Sequence, residues 1–259
     1  MLRELIHERT GVFFVDSRLD ILLDKLEPLA QNAHCDSFLQ YYYLLKDNNP
    51  EAWNRIWTAL SVLETHFWRE TSQVEAFTSV ILPAWFARRA MTFRIWCAAG
   101  ATGEEPYSIA MALAEAGLGS HPIEIIGSDA NPAALEAAKN AVYREKSFRS
   151  LPLHLRQKYF SPVANGSQLS ANIVQRIKWQ RANLSDSKDI APLASAQAIF
   201  CRNVFIYFSH HAIRQTVAGF AARMSPGSHL FVGASESLLR LTTDFELKEV
   251  ANAQAYVRI

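Results

Sequence analysis

The chain has 259 residues, of which 49% are hydrophobic and 20% are charged. This composition is typical of one or two soluble globular domains, and it excludes the disordered, collagen-like and disulfide-stapled classes of protein. Because 26 Lys and Arg residues stand against 25 Asp and Glu residues, the net charge is +1, and a uniformly basic surface for nucleic acid is not expected.

The cysteines and the amino terminus indicate the compartment. Cys35, Cys97 and Cys201 are widely spaced and lack the spacing of a metal site, so we expect no metal, no disulfide and a reduced cytoplasmic setting. The first nine residues mix charges of both signs, unlike a signal peptide. No stretch approaches the ~20 consecutive apolar residues of a spanning helix. We therefore expect a cytoplasmic protein without membrane insertion.

Apolar residues recur at helical spacing through the first sixty residues. One helix is predicted after a cap at Asp16 or Ser17, a second from Phe38 and a third from Pro50. Residues 1–62 are therefore expected to form an all-α amino-terminal domain.

The pattern changes after a further helix predicted over residues 74–89, with a kink or break at Pro83. Strands are expected at residues 93–97, 123–127, 197–201 and 229–233, and helices at residues 104–116, 132–139 and 209–224. This alternation predicts a doubly wound, mostly parallel, Rossmann-like α/β sheet within residues 63–259. A small antiparallel β-subdomain is expected at about residues 161–182, with a turn at Asn165 and short strands at 173–174 and 177–179.

The loop at residues 98–103 (AAGATG) lies where the first strand hands over to a helix, the usual ligand position in open α/β sheets. Gly100 lets the backbone approach a ligand closely, and Asp129 ends the next strand, where a carboxylate can bind ribose hydroxyls. Asp129 could instead cap the following helix. Because Ala98 replaces the first glycine of the dinucleotide fingerprint, the loop favours a nucleoside such as S-adenosylmethionine over a nicotinamide cofactor.

Four ordered motifs extend along the chain: residues 96–108 (WCAAGATGEEPYS), 127–129 (GSD), 200–208 (FCRNVFIYF) and 233–237 (GASES). Together they resemble the chemotaxis-receptor methyltransferase family, CheR, and residues 65–70 (THFWRE) resemble that family's interdomain junction. The resemblance implies methyl transfer from S-adenosylmethionine to glutamate side chains of chemoreceptor signalling helices. The products would be γ-glutamyl methyl esters and S-adenosylhomocysteine.

Such a transfer depends on alignment more than on a metal or a general base, because a glutamate carboxylate is ionised at neutral pH and a sulfonium is a good leaving group. Arg69 and Tyr207 are the candidates for steering the acceptor carboxylate. Arg69 could instead be a surface residue paired with Glu70 or Glu64, and Tyr207 could be a packing aromatic.

The resemblance also implies a set of cofactor contacts. These are Thr65, Arg69 and Glu105 at the methionine part, Asp129 at the ribose, Asn183, Leu184, Arg202 and Asn203 at the adenine end, and Ala98 and Gly100 in the loop. Considered alone, Glu105 could complement its helix dipole, Asn183 could be a turn residue and Arg202 a surface charge. Where the family usually has Asn, this chain has Leu63, so the cofactor contact made there does not carry over directly.

The charges bear on receptor recognition. Residues 1–90 carry 9 Lys and Arg against 12 Asp and Glu, so the helical domain expected to meet an acidic receptor coiled coil is itself mildly acidic. Basic residues that could dock the receptor are Arg55, Arg88, Arg89, Lys146, Arg149, Arg156 and Lys158. Each could equally belong to a solvated charged face. The insertion at residues 161–182 is short, so we expect binding without a pentapeptide tether, and we expect a monomer.

Two other functions are compatible with the same residues. One is a methyltransferase of the same fold with another acceptor, although the helical domain argues against a small molecule. The other is a catalytically weak signalling scaffold that binds S-adenosylmethionine.

Overall fold

The computed structural model describes residues 1–88 and 91–259. The helices of the amino-terminal bundle are α1 (Leu2–Thr10), α2 (Leu19–Asn32), α3 (Phe38–Lys46) and α4 (Pro50–Leu60). The predicted helices from Phe38 and Pro50 are confirmed, and the side chains of Ser37 and Asn49 cap them. The predicted cap of α2 is wrong, because Asp16 lies with Ser17 in a 3₁₀ turn that precedes the helix.

The bundle has its own apolar core, built from one face of each helix. Ile6, Tyr41, Leu45 and Ile56 are fully buried there. The indole N–H of Trp53 donates to the carbonyl of Leu45 at 2.9 Å, so the polar atom of this buried side chain is satisfied.

The helical run that follows is continuous through Pro83. It comprises α5 (Thr71–Ala76), a π-helical segment (Phe77–Ile81) and α6 (Leu82–Phe86). Of the kink or break predicted at Pro83, the break is wrong: the helix continues, and its local irregularity is the π-helical segment just before the proline. Arg89, at the end of the predicted helix, lies outside the described residues.

A seven-stranded sheet forms the centre of the rest of the chain. Its strands are β1 (Phe93–Cys97), β2 (Ile123–Asp129), β6 (Ile177–Arg181), β7 (Ala198–Phe200), β8 (His229–Phe231), β9 (Phe245–Val250) and β10 (Ala253–Arg258), in the spatial order β6-β2-β1-β7-β8-β10-β9. All are parallel except β10, which pairs antiparallel with both neighbours. The predicted mostly parallel doubly wound sheet is confirmed.

Helices cover the sheet on both faces. The helices of this part of the chain are α7 (Glu104–Glu115), α8 (Pro132–Asn140), α9 (Leu153–Tyr159), α10 (Ala171–Val174), α11 (Ser187–Leu193) and α12 (His210–Ala221). One core surrounds Phe77, Phe200 and Phe231, and the other surrounds Trp96 and Phe220. Over residues 1–88 and 91–259, no helix has both the length and the apolarity needed to cross a membrane.

A second, three-stranded antiparallel sheet is formed by β3 (Val142–Tyr143), β4 (Phe160–Val163) and β5 (Gly166–Leu169), in the order β3-β5-β4. The predicted antiparallel sheet and its turn at Asn165 are confirmed. Two of its predicted strands are wrong: residues 173–174 belong to α10, and residues 177–179 belong to β6 of the main sheet. Ile177 pairs with Ile125 there, because this position buries its side chain in the core.

The glycine at position 127 is required by the Trp179 indole, which lies over it from the neighbouring strand. A Cβ at this position would stand 2.6 Å from the ring. We expect Gly127→Ala to lower the free energy of unfolding by about 1–3 kcal/mol, as overpacking does. Gly119→Ala is the matched control, because a Cβ there meets nothing within 4 Å. Equal thermal stability of the two variants would contradict this assignment.

His229 makes stability depend on pH. Burial lowers the pKa of His229 to about 4, and its ring stacks on Phe231 with centroids 6.3 Å apart. Because the folded protein binds this proton more weakly than the unfolded chain, the stability contribution is complete above pH ~6.5 and is lost as the pH falls towards 4.

We therefore expect denaturant unfolding to show a loss of up to about 3 kcal/mol from this group across that interval. His229→Phe keeps a ring in place and should flatten the pH dependence. His154→Gln, at an exposed position, should leave the wild-type pH dependence unchanged. A His229→Phe profile with the wild-type slope would show that the assignment is wrong.

Candidate active site

Two adjoining cavities lie at the carboxyl ends of β1, β2 and β7. The apolar cavity is lined mainly by Trp57, Leu60, Val62, Leu63, Leu184 and Val204, together with Asp129 and Asn183. The polar cavity is lined by Glu64, Thr65, His66, Arg69, Gly100, Glu105 and Arg202. Ala99, Ala101, Asn203 and Tyr207 line both cavities, so the two share a wall.

The loop between β1 and α7 contributes lining residues to both cavities. The backbone N–H of Gly100 donates to the carbonyl of Ser128 at 2.7 Å. Ala99 and Ala101 both adopt left-handed conformations, with φ of 57° and 47°, which are costly for residues with a Cβ. These two residues line the cavities, whereas Ala98 is 1% exposed and lines neither.

Asp129 lies at the end of β2 with both carboxylate oxygens engaged. Its Oδ2 accepts from the N–H of Ala101 at 3.0 Å and its Oδ1 from the N–H of Asn131 at 2.8 Å. Burial raises the pKa of Asp129, while these hydrogen bonds oppose the rise. The cap of α8 is Asn131, which accepts from Ala133, so Asp129 does not serve as the helix cap.

Arg202 is the most connected cation of the site, and its side chain is only 3% exposed. Its Nε donates to Oε2 of Glu105 at 2.6 Å, and its other nitrogens donate to Gln73 Oε1 and to the carbonyls of Arg69 and Glu70 at 3.0 to 3.2 Å. Burial raises the pKa of Glu105, and the ion pair with Arg202 opposes that rise. Arg202 lines the polar cavity only, so the structure separates it from Asn183 and Leu184, with which the resemblance had grouped it.

Arg69 and Thr65 line the polar cavity beside Tyr207. Arg69 donates to the backbone carbonyl of Glu64 at 3.3 Å, and its Nε lies 3.9 Å from Glu70. Arg69 therefore contacts both residues considered as its surface partners, Glu64 only through its backbone carbonyl, and it also lines the cavity.

Tyr207 ends a 3₁₀ turn (Phe205–Tyr207) to which the amino-terminal segment is attached. The N–H of Phe13 donates to the carbonyl of Tyr207 at 2.9 Å, and Val12 bridges to Phe208. Asn183 makes a second tie, because its side-chain amide donates to the carbonyl of Arg9 at 2.8 Å. Its Oδ1 accepts from Ser185 N–H, so Asn183 is a turn residue as well as a cavity residue.

A carboxylate clamp fixes the loop after β7. Oε2 of Glu236 accepts from the N–H groups of Asn203 at 2.8 Å and Gly233 at 2.6 Å, and its Oε1 accepts from Ile206 N–H at 3.2 Å. Asn203 has a φ of 60°, so this clamp holds a strained residue that lines both cavities. A Cβ on Gly233 would collide with the Asn203 amide.

Comparison with known proteins identifies the arrangement. The family described as "CheR methyltransferase, SAM binding domain" matches residues 63–254, and "CheR methyltransferase, all-alpha domain" matches residues 1–61. The chain belongs to the CheR methyltransferase family. It is 33% identical to chemotaxis protein methyltransferase 2 of Vibrio cholerae, over 99% of this chain and 91% of that protein. It is 31% identical to the chemotaxis protein methyltransferase of Escherichia coli, over 95% of this chain and 86% of that protein.

The cofactor of this CheR protein is S-adenosylmethionine, as the resemblance implied. Three features of the site escaped sequence reasoning: the Glu236 clamp, Glu70, and the wall that Trp57 and Leu60 supply from the bundle. Glu236 lies within the GASES motif, which was the available signal. Glu70 accepts from Asn203 Nδ2 at 3.3 Å and Ala234 N–H at 3.1 Å, a contact across 164 residues that no local pattern indicates.

The clamp should matter for cofactor binding in this CheR protein. We expect Glu236→Ala to weaken S-adenosylhomocysteine binding by about tenfold or more, because charge-assisted hydrogen bonds are each worth roughly 1.5–3 kcal/mol. Glu236→Gln should fall between, since it keeps one acceptor oxygen. Isothermal titration calorimetry measures both effects.

Glu246→Gln, in the exposed face of β9, is the control and should bind as the wild type does. Affinity within twofold of wild type for Glu236→Ala would show that the loop keeps its shape without the clamp.

Proposed function

We propose that this protein transfers the methyl group of S-adenosylmethionine to glutamate side chains of chemoreceptor signalling helices, forming γ-glutamyl methyl esters. The observation that carries this proposal is that an apolar cavity lined by Asp129 adjoins a polar cavity lined by Arg69, with Tyr207 lining both. Family membership and the chemotaxis methyltransferases among the relatives support the same reading.

The lining residues suit the two halves of the cofactor. In this proposal the apolar cavity holds the adenosine, with Leu184 against the adenine, Asn183 at its edge and Asp129 at the ribose hydroxyls. Leu63 adds apolar surface on that side, where the family usually has an amide. The backbone at Ala99 and Ala101, rather than at Ala98, would face the ligand.

The polar cavity would hold the methionine part. Arg69 can bind its carboxylate through charge-assisted hydrogen bonds, while Glu105 and Thr65 can accept from its ammonium. Arg202 acts here by orienting Glu105. Asn203 lines both cavities, so it would contact both the adenosine and the methionine part.

S-adenosylmethionine supplies an electrophilic methyl group on a sulfonium. The acceptor carboxylate, ionised at neutral pH, attacks that carbon as the bond to sulfur breaks, so no proton has to move. Tyr207, together with the donors of Arg69 that the methionine carboxylate leaves free, orients the acceptor carboxylate, which is the main contribution the chain has to make. Trp57 and Leu60, which the bundle contributes to the apolar cavity, would shield the adenosine from water.

The proposed organisation is a helical domain at residues 1–62 and a catalytic domain at residues 63–259 that includes the small antiparallel sheet. We propose that a monomer meets the receptor coiled coil in the cytoplasm without a pentapeptide tether. The short β4–β5 turn supports the last point, because it leaves little loop to hold a peptide.

The test is methyl transfer from radiolabelled S-adenosylmethionine to purified chemoreceptor cytoplasmic fragments. We expect base-labile label on receptor glutamates, located by mass spectrometry. Tyr207→Phe should lower kcat by about tenfold and Arg69→Gln by about 100-fold or more, the usual range for orienting groups. Arg223→Gln, at an exposed position of the catalytic domain, is the matched control.

The absence of label on every receptor, with S-adenosylhomocysteine bound tightly, would overturn the proposal in favour of a signalling scaffold. Label on another protein class alone would favour a different acceptor.

A further inference from the structure

An exposed ion pair lies at the rim of the polar cavity. Nη2 of Arg149 is 2.9 Å from Oε1 of Glu64, and the two side chains are 42% and 61% exposed. Glu64 lines the cavity, whereas Arg149 does not. Arg149 therefore faces the surface beside the opening, where the flanks of a bound acceptor would pass.

The position of this pair is fixed by buried neighbours. Phe67 is fully buried and stacks on Phe148, with centroids 5.7 Å apart. The N–H of Phe67 donates to the carbonyl of Ser147 at 2.9 Å. Phe67 lies three residues after Glu64, and Phe148 immediately precedes Arg149. The contact between these two rings therefore fixes the two segments that carry the ion pair.

The arginines at this rim differ in how firmly they are held. Arg202 is committed to Glu105, and Arg69 lies against Glu70 and the backbone of Glu64. By contrast, an exposed pair such as Arg149 with Glu64 is worth only about 0–1 kcal/mol, so it exchanges readily for another carboxylate. This makes Arg149 the cation most open to a partner at the rim.

His66 adds a second observation at the same place. It lines the polar cavity, and its Nδ1 is buried without a hydrogen-bond partner among residues 1–88 and 91–259. Burial, followed by Arg149 and Arg69, lowers the pKa of His66. The imidazole lines the cavity, and in its neutral form it can donate a hydrogen bond to an incoming carboxylate without adding a charge.

We propose that Arg149 is a specificity-determining residue that binds an acidic side chain flanking the methylated glutamate on the acceptor helix. Glu64 holds Arg149 in place while the acceptor is absent, and the flanking carboxylate takes its position when the acceptor binds. The inference rests on the proposed function, since it assumes that a glutamate-bearing helix is the acceptor.

The test uses two helical acceptor peptides that contain the same target glutamate. One has Glu one helical turn away and the other has Gln there. Binding to the enzyme saturated with S-adenosylhomocysteine is measured by isothermal titration calorimetry, and KM and kcat are measured separately. We expect wild type to prefer the Glu peptide by about fivefold at low salt, as rim charges do, with the preference shrinking as salt rises.

Arg149→Gln should abolish the preference by weakening the Glu peptide alone, with kcat and cofactor affinity unchanged. Arg149→Lys should keep part of it. Glu64→Gln should tighten the Glu peptide by about twofold to fivefold, because the competing carboxylate is removed. Arg223→Gln, elsewhere on the surface, should leave the preference intact.

Equal preference in wild type and Arg149→Gln would overturn the inference, and so would weaker binding of the Glu peptide by Glu64→Gln. If wild type methylates neither peptide nor any receptor fragment, the proposed function itself fails. Wild-type methylation without discrimination between the peptides overturns only the role of Arg149. Cofactor affinity reports whether each variant is folded.

Discussion

The buried guanidinium of Arg202 holds the site together. It is shielded from water and donates hydrogen bonds to the carboxylate of Glu105, the side-chain oxygen of Gln73 and the two backbone carbonyls of residues 69–70. One cation thus joins the start of α7, the start of α5 and the end of β7. Buried ion pairs of this kind contribute little net stability but impose one geometry. Here that geometry places Arg69 and Glu105 on the same cavity.

Backbone strain is concentrated around the ion pair of Arg202 and Glu105. Trp68, Glu70, Ala99, Ala101 and Asn203 all have left-handed conformations although none is glycine. Each such residue costs on the order of 1–3 kcal/mol unless its surroundings enforce it. The surrounding contacts do enforce it: the Trp68 N–H is held by Ser108, the Ala101 N–H by Asp129 and the Asn203 N–H by Glu236. The cavity is therefore shaped before a ligand arrives, as electrostatic and positional catalysis requires.

Local patterns were sufficient for the strands that end at the site, because short apolar runs bounded by turn residues mark β1, β2, β7 and β8. β9, in which Phe245 and Leu247 alternate with charged residues, has the local pattern of a strand and was missed in spite of it. Local patterns were insufficient for β6, whose sheet is chosen by pairing with β2 about 50 residues earlier. The same distinction holds for the site. Asp129 and the loop after β1 follow from strand–helix order, whereas the place of Arg202 depends on Glu105, 97 residues away. Long-range partners of buried charges leave no periodic trace in a sequence.

The central position of strand β10 in the sheet affects the order in which the protein can fold during synthesis. Residues 253–258 lie between β8 and β9, not at an edge. Until they are synthesised, one edge of β8 lacks its partner and β9 has no partner in the sheet, and each exposed edge is a template for pairing with another chain. Folding of the catalytic half therefore has to await the last strand, and such non-local pairing is slow. The helical bundle consists of sequence-local contacts, so it can form during synthesis and precede the sheet.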